Sequence, residues 1–472
     1  MSDLVADTRA LVRRAGLTEL DALFDDAFRF AIAGLVKAGK STLLNALIGE
    51  RLAPTDAGEC TRIVSWYRHG GRYEVVGVGH DGELVPLRFE RRRGLEVDLA
   101  GRDHGDFERL DVSCPTPRLT GQTLIDLPGH GSLSADVSAR AQRFLGGTVD
   151  GRRPVDAVIY LTRHHHPTDV AFLEAFQGDL HHASATSAIA VLSRADELGG
   201  ARPDAMSTAR RVADTLAVDP RMRRLCADVV PVAGLLAETA ATLRNDEIAA
   251  LRTIAASPDD VRRAGLLSVD RFARADDLGA TAEVRQALVG RLGIFGLRVA
   301  LDIVERTGGS PDALTSGLAA ASGIGDLRQS LERRFFERAG VLRARAALQI
   351  LADSAAVIDD ADLAADLDRI RSTAHELREL QALDVVRSGA ADVLGATDAA
   401  AIERLLGGDG PSLSARLGAD RHLDPAEARS MLLDERRRWA TVAESPFATS
   451  TTVELTEVAM RTCDSLLVGA IS

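Results

Sequence analysis

Aromatic side chains supply only 4% of the 472 residues, and no apolar run approaches the roughly 18 residues that a membrane span needs. Cysteine is equally sparse: Cys60, Cys114, Cys226 and Cys463 stand far apart with no C-x-x-C pair, which argues against a zinc site and a disulfide framework. Positive charge is in deficit, with a net charge of −12, so the chain lacks the electrostatics of a general nucleic-acid binder and has no long-range attraction to anionic lipid. The first residues, MSDLVADTRALVRRAGLTELDALFDD, lack the apolar centre of a signal peptide and read as an acidic amphipathic helix. The expected location is cytoplasmic. What remains is an ordinary soluble composition, 46% hydrophobic and 27% charged, long enough for two or three domains. Ala, Leu, Arg, Asp and Glu dominate the second half, which is therefore expected to be helical.

The most informative stretch is FRFAIAGLVKAGKSTLLNALIGE, residues 28–50. An apolar strand runs into a loop of the form G-x-x-x-x-G-K-[ST], with Gly34, Gly39, Lys40 and Ser41 in the fixed places, and a helix follows. The backbone N–H groups of such a loop form a nest for phosphate oxygens, with Lys40 reaching the β- and γ-phosphates and Ser41 ligating Mg²⁺.

Strand and helix then alternate to about residue 240. IVSWYRHG and RYEVVGVGHDG read as extended segments joined by a hairpin turn, and TLID, AVIYLT, AIAVLS and VVPV read as short buried strands. Alternation of this kind predicts a doubly wound, mostly parallel sheet with its ligand at the carboxyl ends of the strands. Those ends carry suitable chemistry. Asp126 in DLPG is placed to hold Mg²⁺, and the Gly129 N–H to meet a γ-phosphate oxygen. Thr61, in the loop after the first sheet helix, is placed to close on the metal when the γ-phosphate is present. Ser193-Arg194-Ala195-Asp196 offers a carboxylate for the guanine N1–H and N2 amine, with the Arg194 stem on the base face. Adenine has no such donor pair, so GTP and GDP are the expected ligands.

GLVKAGKSTLLNALIGERLAPTDAGECTRIV, DLPG and SRAD, together with VVPVAGLLAETA, RLGIFGLRVAL and GGDGPSLSARLG, resemble the dynamin superfamily, in particular bacterial dynamin-like proteins of the isoniazid-inducible group. The resemblance implies a P-loop GTPase domain joined to an elongated, all-α neck and trunk. It also implies self-association through the GTPase domain, membrane remodelling at the inner face of the cell membrane, and Ala38, Thr42, Ala233 and Gly234 as further nucleotide contacts. A soluble regulatory GTPase that binds a related dynamin-like partner is the alternative. Ser193 departs from the pattern, standing where the base-recognition motif usually has Asn or Thr.

Two residues admit two readings each. Lys37 lies inside the phosphate loop, either as a charge in cis for the γ-phosphate or as a solvated loop lysine. His130 follows the DLPG glycine, either orienting water or belonging to a moving switch. His164, His165 and His166 read as a strand-to-helix loop, since three consecutive imidazoles cannot all face one ion on regular backbone.

The expected division is an N-terminal neck helix (1–26), the GTPase core (27–255), a helical extension (256–340) and a neck and trunk bundle (341–472) closed by a helix near 452–470. The N-terminal helix, about 3–25, and the C-terminal helix are expected to pack together. Residues 327–351 read as one helix in which Arg328, Arg333, Arg334, Arg338, Arg343 and Arg345 outnumber Glu332 and Glu337, followed by the aspartates of 353–368. Pairing of these opposite-sign stretches within a bundle is the preferred reading over a basic membrane face. Leu363, Leu367, Ile370, Ala374 and Leu377 follow coiled-coil spacing. Residues 407–424 read as a turn, with Leu413 and Leu417 as the only apolar anchors should it be a tip loop.

Overall fold

The computed structural model describes residues 2–54, 63–91, 94–128, 155–163, 174, 185–354, 360–389 and 394–469. Eleven strands are found among them: β1 (Phe28–Gly34), β2 (Val64–His69), β3 (Glu74–Gly79), β4 (Leu84–Pro86), β5 (Arg88–Arg91), β6 (Leu95–Asp98), β7 (Phe107–Cys114), β8 (Gln122–Asp126), β9 (Ala157–Thr162), β10 (Ala188–Ser193) and β11 (Val229–Val232). Nine form one sheet in the order β11-β10-β9-β1-β8-β2-β7-β3-β4, and β5 and β6 form a separate hairpin. The run from β11 to β8 is parallel throughout. Every residue of β1, β9 and β10 is buried, as expected of central parallel strands covered on both faces.

The expected hairpin between β2 and β3 does not form. β7 lies between them, parallel to β2 and antiparallel to β3. A short connection makes neighbouring strands easy to read as a pair, but the sheet bonds are settled by the more distant FERLDVSC, whose alternate residues are buried.

The helical half packs onto this sheet through nonlocal contacts. The first helix spans Ser2–Arg14 and a second Thr18–Ala22, because the chain turns at Gly16 with φ 74°. The first helix lies on helices Ala339–Ala352 and Ala361–Thr373, whereas the last helix, Ser450–Gly469, pairs with Pro425–Ala443. The expected pairing of the two terminal helices is thus replaced by two separate packings, each burying one apolar stripe.

The stretch 327–351 is not one helix. It breaks between Ile324–Arg334 and Ala339–Ala352, where Phe335 (φ −123°, ψ −55°) leaves helical geometry and is fully buried. Most of its arginines reach inward, while Arg333 stays exposed. Arg343 donates to the Asp26 carbonyl at 2.9 Å, Arg328 to the Ala46 carbonyl at 3.1 Å, and Arg338 to the Leu406 carbonyl at 3.2 Å. The stretch therefore belongs to the interior, as the bundle reading required, but its partners are carbonyls and distant acids such as Asp228 and Asp384. The seam Leu363, Leu367, Ile370 and Leu377 is buried, yet the backbone turns at Ala374 (ψ 112°), so two helices share it. Leu417 is buried and Leu413 packs against the core, which removes both as lipid anchors.

One polar cluster ties three of these helices. Glu379, on helix His375–Arg387, accepts from Arg416 at 2.7 and 2.9 Å and from the Thr462 hydroxyl of the last helix at 2.8 Å. Burial pushes the Glu379 carboxyl up, but His375 and Arg416 outweigh it and hold the pKa at about 2, against an ordinary 4.5. The depressed folded-state value means that this contribution is complete above pH 4.5 and is lost as pH falls toward 2. Glu379→Gln should lower stability at pH 7 by about 3 kcal/mol, because Arg416 stays buried without its counter-charge. Urea unfolding midpoints should show the gap from wild type closing as pH falls through that window; a gap independent of pH would refute the assignment.

Candidate nucleotide-binding site

β1 delivers the chain to the phosphate loop at the middle of the sheet's carboxyl edge. A Cβ on Gly34 would lie 2.8 Å from the Leu161 carbonyl of β9, so only glycine permits this approach. Gly39 takes φ 96° and starts helix Lys40–Ile48. The first N–H to find an acceptor at this helix start is that of Leu43, on the Gly39 carbonyl at 2.9 Å. The Lys40, Ser41 and Thr42 N–H groups have no acceptor among the described residues and are the first-turn donors that a helix start offers to an anion. Ala38 is buried and its own N–H is taken by the Leu35 carbonyl at 3.0 Å. Lys37 is exposed with φ 65°, a left-handed residue at the mouth of the loop.

Asp126 ends β8 in register with Ile32 of β1 and is 0% exposed. A buried carboxylate and the Ser41 hydroxyl are the hard oxygen donors that Mg²⁺ takes, so the residues present fit that ion. Thr61, Gly129, His130 and the histidines 164–166 lie outside the described residues. Among the described residues no cluster of three His, Cys, Asp or Glu has the geometry of a metal site.

Beside the phosphate loop is a cavity of about 130 Å³ lined by Gly39, Thr42, Ser193, Arg194, Asp196 and Gly234, among others. The structure thus brings together the two ends of the sequence motif set. Asp196 is only 6% exposed, and burial pushes its carboxyl pKa up to about 6. A carboxylate desolvated in this way gains most from a ligand that brings two N–H donors. The Ser193 hydroxyl is engaged within the sheet: it donates to the Thr162 carbonyl at 3.1 Å, closing β10 onto β9. Arg194 (φ 52°) donates to Glu197 at 3.0 Å and to the Lys37 carbonyl at 3.3 Å, so it joins the base-side loop to the phosphate loop. Ala233 is fixed by its N–H on the Ser322 carbonyl at 2.8 Å, and a Cβ on Gly234 would meet Thr42 at 3.4 Å.

Two supports escaped the sequence reading. Asn45, fully buried on the phosphate-loop helix, accepts from the Leu52 and Ala53 N–H groups at 3.0 and 2.8 Å and donates to Glu238 at 3.1 Å. It fixes the start of the loop that carries Thr61. The available signal was a lone amide inside the apolar LLNALI. Gly293, with φ 63°, interrupts helix Ala282–Thr307 directly beside Asp196; a Cβ there would lie 3.7 Å from the carboxylate.

A model of the dynamin family matches residues 30–78. The isoniazid-induced protein IniC of Mycobacterium tuberculosis is 36% identical over 459 residues, which cover 96% of this chain and 92% of that protein. The isoniazid-induced protein IniA of the same organism is 25% identical over 234 residues, 48% of this chain and 33% of that one. A bacterial dynamin-like protein of Nostoc punctiforme is 45% identical over 56 residues, 12% and 8% of the two chains.

The Asn45 arrangement predicts a local effect. Asn45→Ala leaves the buried Ala53 N–H without an acceptor and the Leu52 N–H with only the Glu50 carbonyl at 3.1 Å, and should cost about 2 kcal/mol. Hydrogen exchange should accelerate at Leu52 and Ala53 before the rest of the sheet. Unchanged protection at those two amides would show that the loop is held by something else.

Proposed function

The chain belongs to the dynamin family, in the group of the mycobacterial protein IniC, and from its site we propose a Mg²⁺-dependent GTPase that couples nucleotide-linked self-association to membrane remodelling. The observation that carries the nucleotide reading is the buried Asp196 carboxylate in a cavity continuous with the phosphate loop. In this reading guanine donates from N1 and N2 to Asp196, and the orphan N–H groups of Lys40, Ser41 and Thr42 receive the phosphates. The Lys40 ammonium supports the β- and γ-oxygens. Mg²⁺, held by Ser41, Asp126 and Thr61, supplies positive charge to the phosphates. Lys37 is assigned the cis charge that offsets what builds on the bridging oxygen as water attacks, and the Gly129 N–H the γ-phosphate. His130 is assigned to the adjoining switch.

The base assignment has a pH signature. Asp196 accepts both guanine donors only when ionised, so GTP affinity should fall as pH drops below about 6. Asp196→Asn should abolish that dependence, weaken GTP by about 2–4 kcal/mol, tens- to hundreds-fold, and favour xanthosine triphosphate. Lys40→Ala should reduce phosphate release at least about a hundredfold. Equal binding of ATP and GTP by wild type, or wild-type turnover by Lys40→Ala, would overturn the reading.

For the membrane, the favouring observation is Phe447. It is 89% exposed in the turn between helices Pro425–Ala443 and Ser450–Gly469. One phenyl ring is a weak anchor, but self-association multiplies it. Phe447→Ser should cut liposome co-sedimentation in the GTP state several-fold while leaving turnover in solution unchanged. Equal pelleting of the variant would remove Phe447 from the membrane contact.

A further inference from the structure

A second cavity, about 520 Å³, lies at the opposite edge of the sheet from the nucleotide site. Its sheet-side wall is Val155 and Asp156, just before β9, with Ala185 and Ser187, just before β10. Its other wall comes from helices Ala339–Ala352 and His375–Arg387. Five guanidinium groups line it, those of Arg224, Arg343, Arg345, Arg371 and Arg387, against the two carboxylates Asp156 and Asp384. Glu403 behind Arg387 is a third carboxylate, which still leaves more guanidinium groups than carboxylates around one partly open volume, an excess that suits an anion.

The inner arginines are fixed by other bonds. Arg387 donates to the Cys226 carbonyl at 3.1 Å and meets Glu403 at 2.7 Å. Arg343 holds the Asp26 carbonyl at 2.9 Å, with Asp156 at 3.6 Å. Planar donors held in place before a ligand arrives lose little freedom on binding it. Burial also pushes the Arg345 guanidinium down, a shift that a bound anion would counteract. At the lip, Arg371 is exposed and has no ion-pair partner among the described residues. Leu342, Leu348 and Leu377 give the cavity an apolar side.

We infer that this cavity binds a phosphate-bearing small molecule with an apolar body, clamped between the amino-terminal edge of the sheet and the helical half. Its volume lies within the roughly 300–1,000 Å³ typical of small-molecule sites. The ligand phosphate can come from a soluble metabolite or from a lipid headgroup.

Inorganic pyrophosphate is the first probe, followed by isothermal titration calorimetry on the whole chain. Wild type should bind two equivalents, one at the phosphate loop and one here. Lys40→Ala should lose only the first. Ala346→Phe, which fills the cavity, and Arg371→Glu, an exposed change at its lip, should lose or weaken only the second by at least tenfold while GTP turnover is kept. Dihexanoyl phosphatidylglycerol below its micelle concentration is the second probe. Displacement of the pyrophosphate retained by Lys40→Ala identifies a lipid headgroup as the source, and failure to displace it identifies a soluble phosphate; either outcome upholds the site. A single equivalent in wild type that Lys40→Ala removes, or a second equivalent untouched by both cavity variants, overturns it. Loss of the loop equivalent alone would bear on the GTPase reading and not on this cavity.

Discussion

The contact on which the rest of the molecule depends is the aromatic cluster under β1. Phe28 and Phe30, two apart on one strand with ring centroids 4.8 Å apart, share a face and meet Phe335 and Phe336 at ring separations of 5.4 to 6.2 Å. Four rings from a chain so poor in aromatics converge where the helical half bends. Truncating one such buried ring typically costs about 3–5 kcal/mol. The strand they brace is the one that ends in Gly34. The helix just before the bend also reaches the phosphate-loop helix, with Arg328 and Arg118 both donating to the Ala46 carbonyl. The helical half is therefore packed directly against the element that would hold phosphate.

Arginine chemistry explains how an acidic protein holds a basic segment inside. A guanidinium carries five donors on a long apolar stem, so it can satisfy carbonyls left over at helix ends while filling space. Arg338 does this for Leu406 and Gly407, and Arg334 for Gly408, so the glycine-rich turn is stitched to the core. Arg416 combines both uses, bridging Glu379 and the Leu405 carbonyl. Counting charges along the sequence sees none of these partners, because each lies tens of residues away or is a neutral carbonyl.

That distinction separates what was legible from what was not. Gly34, Gly39, Lys40 and Ser41 were readable because the loop's geometry is dictated locally, by the glycines and by the strand and helix that flank them. The positions of Asp126, at the end of β8, and Asp196, in the turn just after β10, were readable because each follows an unmistakable apolar strand. The position of β7 was not, since strand order depends on pairings that the local pattern does not encode. The seam through Leu363 and Leu377 shows a finer limit: spacing identified the buried face correctly but not the turn at Ala374, because a shared apolar face does not require a continuous backbone. Asn45 and Gly293 are of a third kind, residues whose role exists only once Leu52, Ala53 and Asp196 are brought beside them.

The two cavities face opposite edges of the same strands. β9 and β10 each run six residues from the arginine-lined edge to the nucleotide edge, a span of about 20 Å. Parallel, fully buried strands of this length transmit little by bending, so communication between the edges has to pass through elements with two arrangements. At Phe335 and at Gly293 the helical half leaves regular geometry, the first against β1 and the second against the Asp196 carboxylate. If either bend differs between nucleotide states, thermodynamic reciprocity requires that an anion at the far edge shift nucleotide affinity by the same factor that nucleotide shifts the anion's. The architecture thus puts the points where such coupling can arise in the helical half, outside the sheet that both sites share.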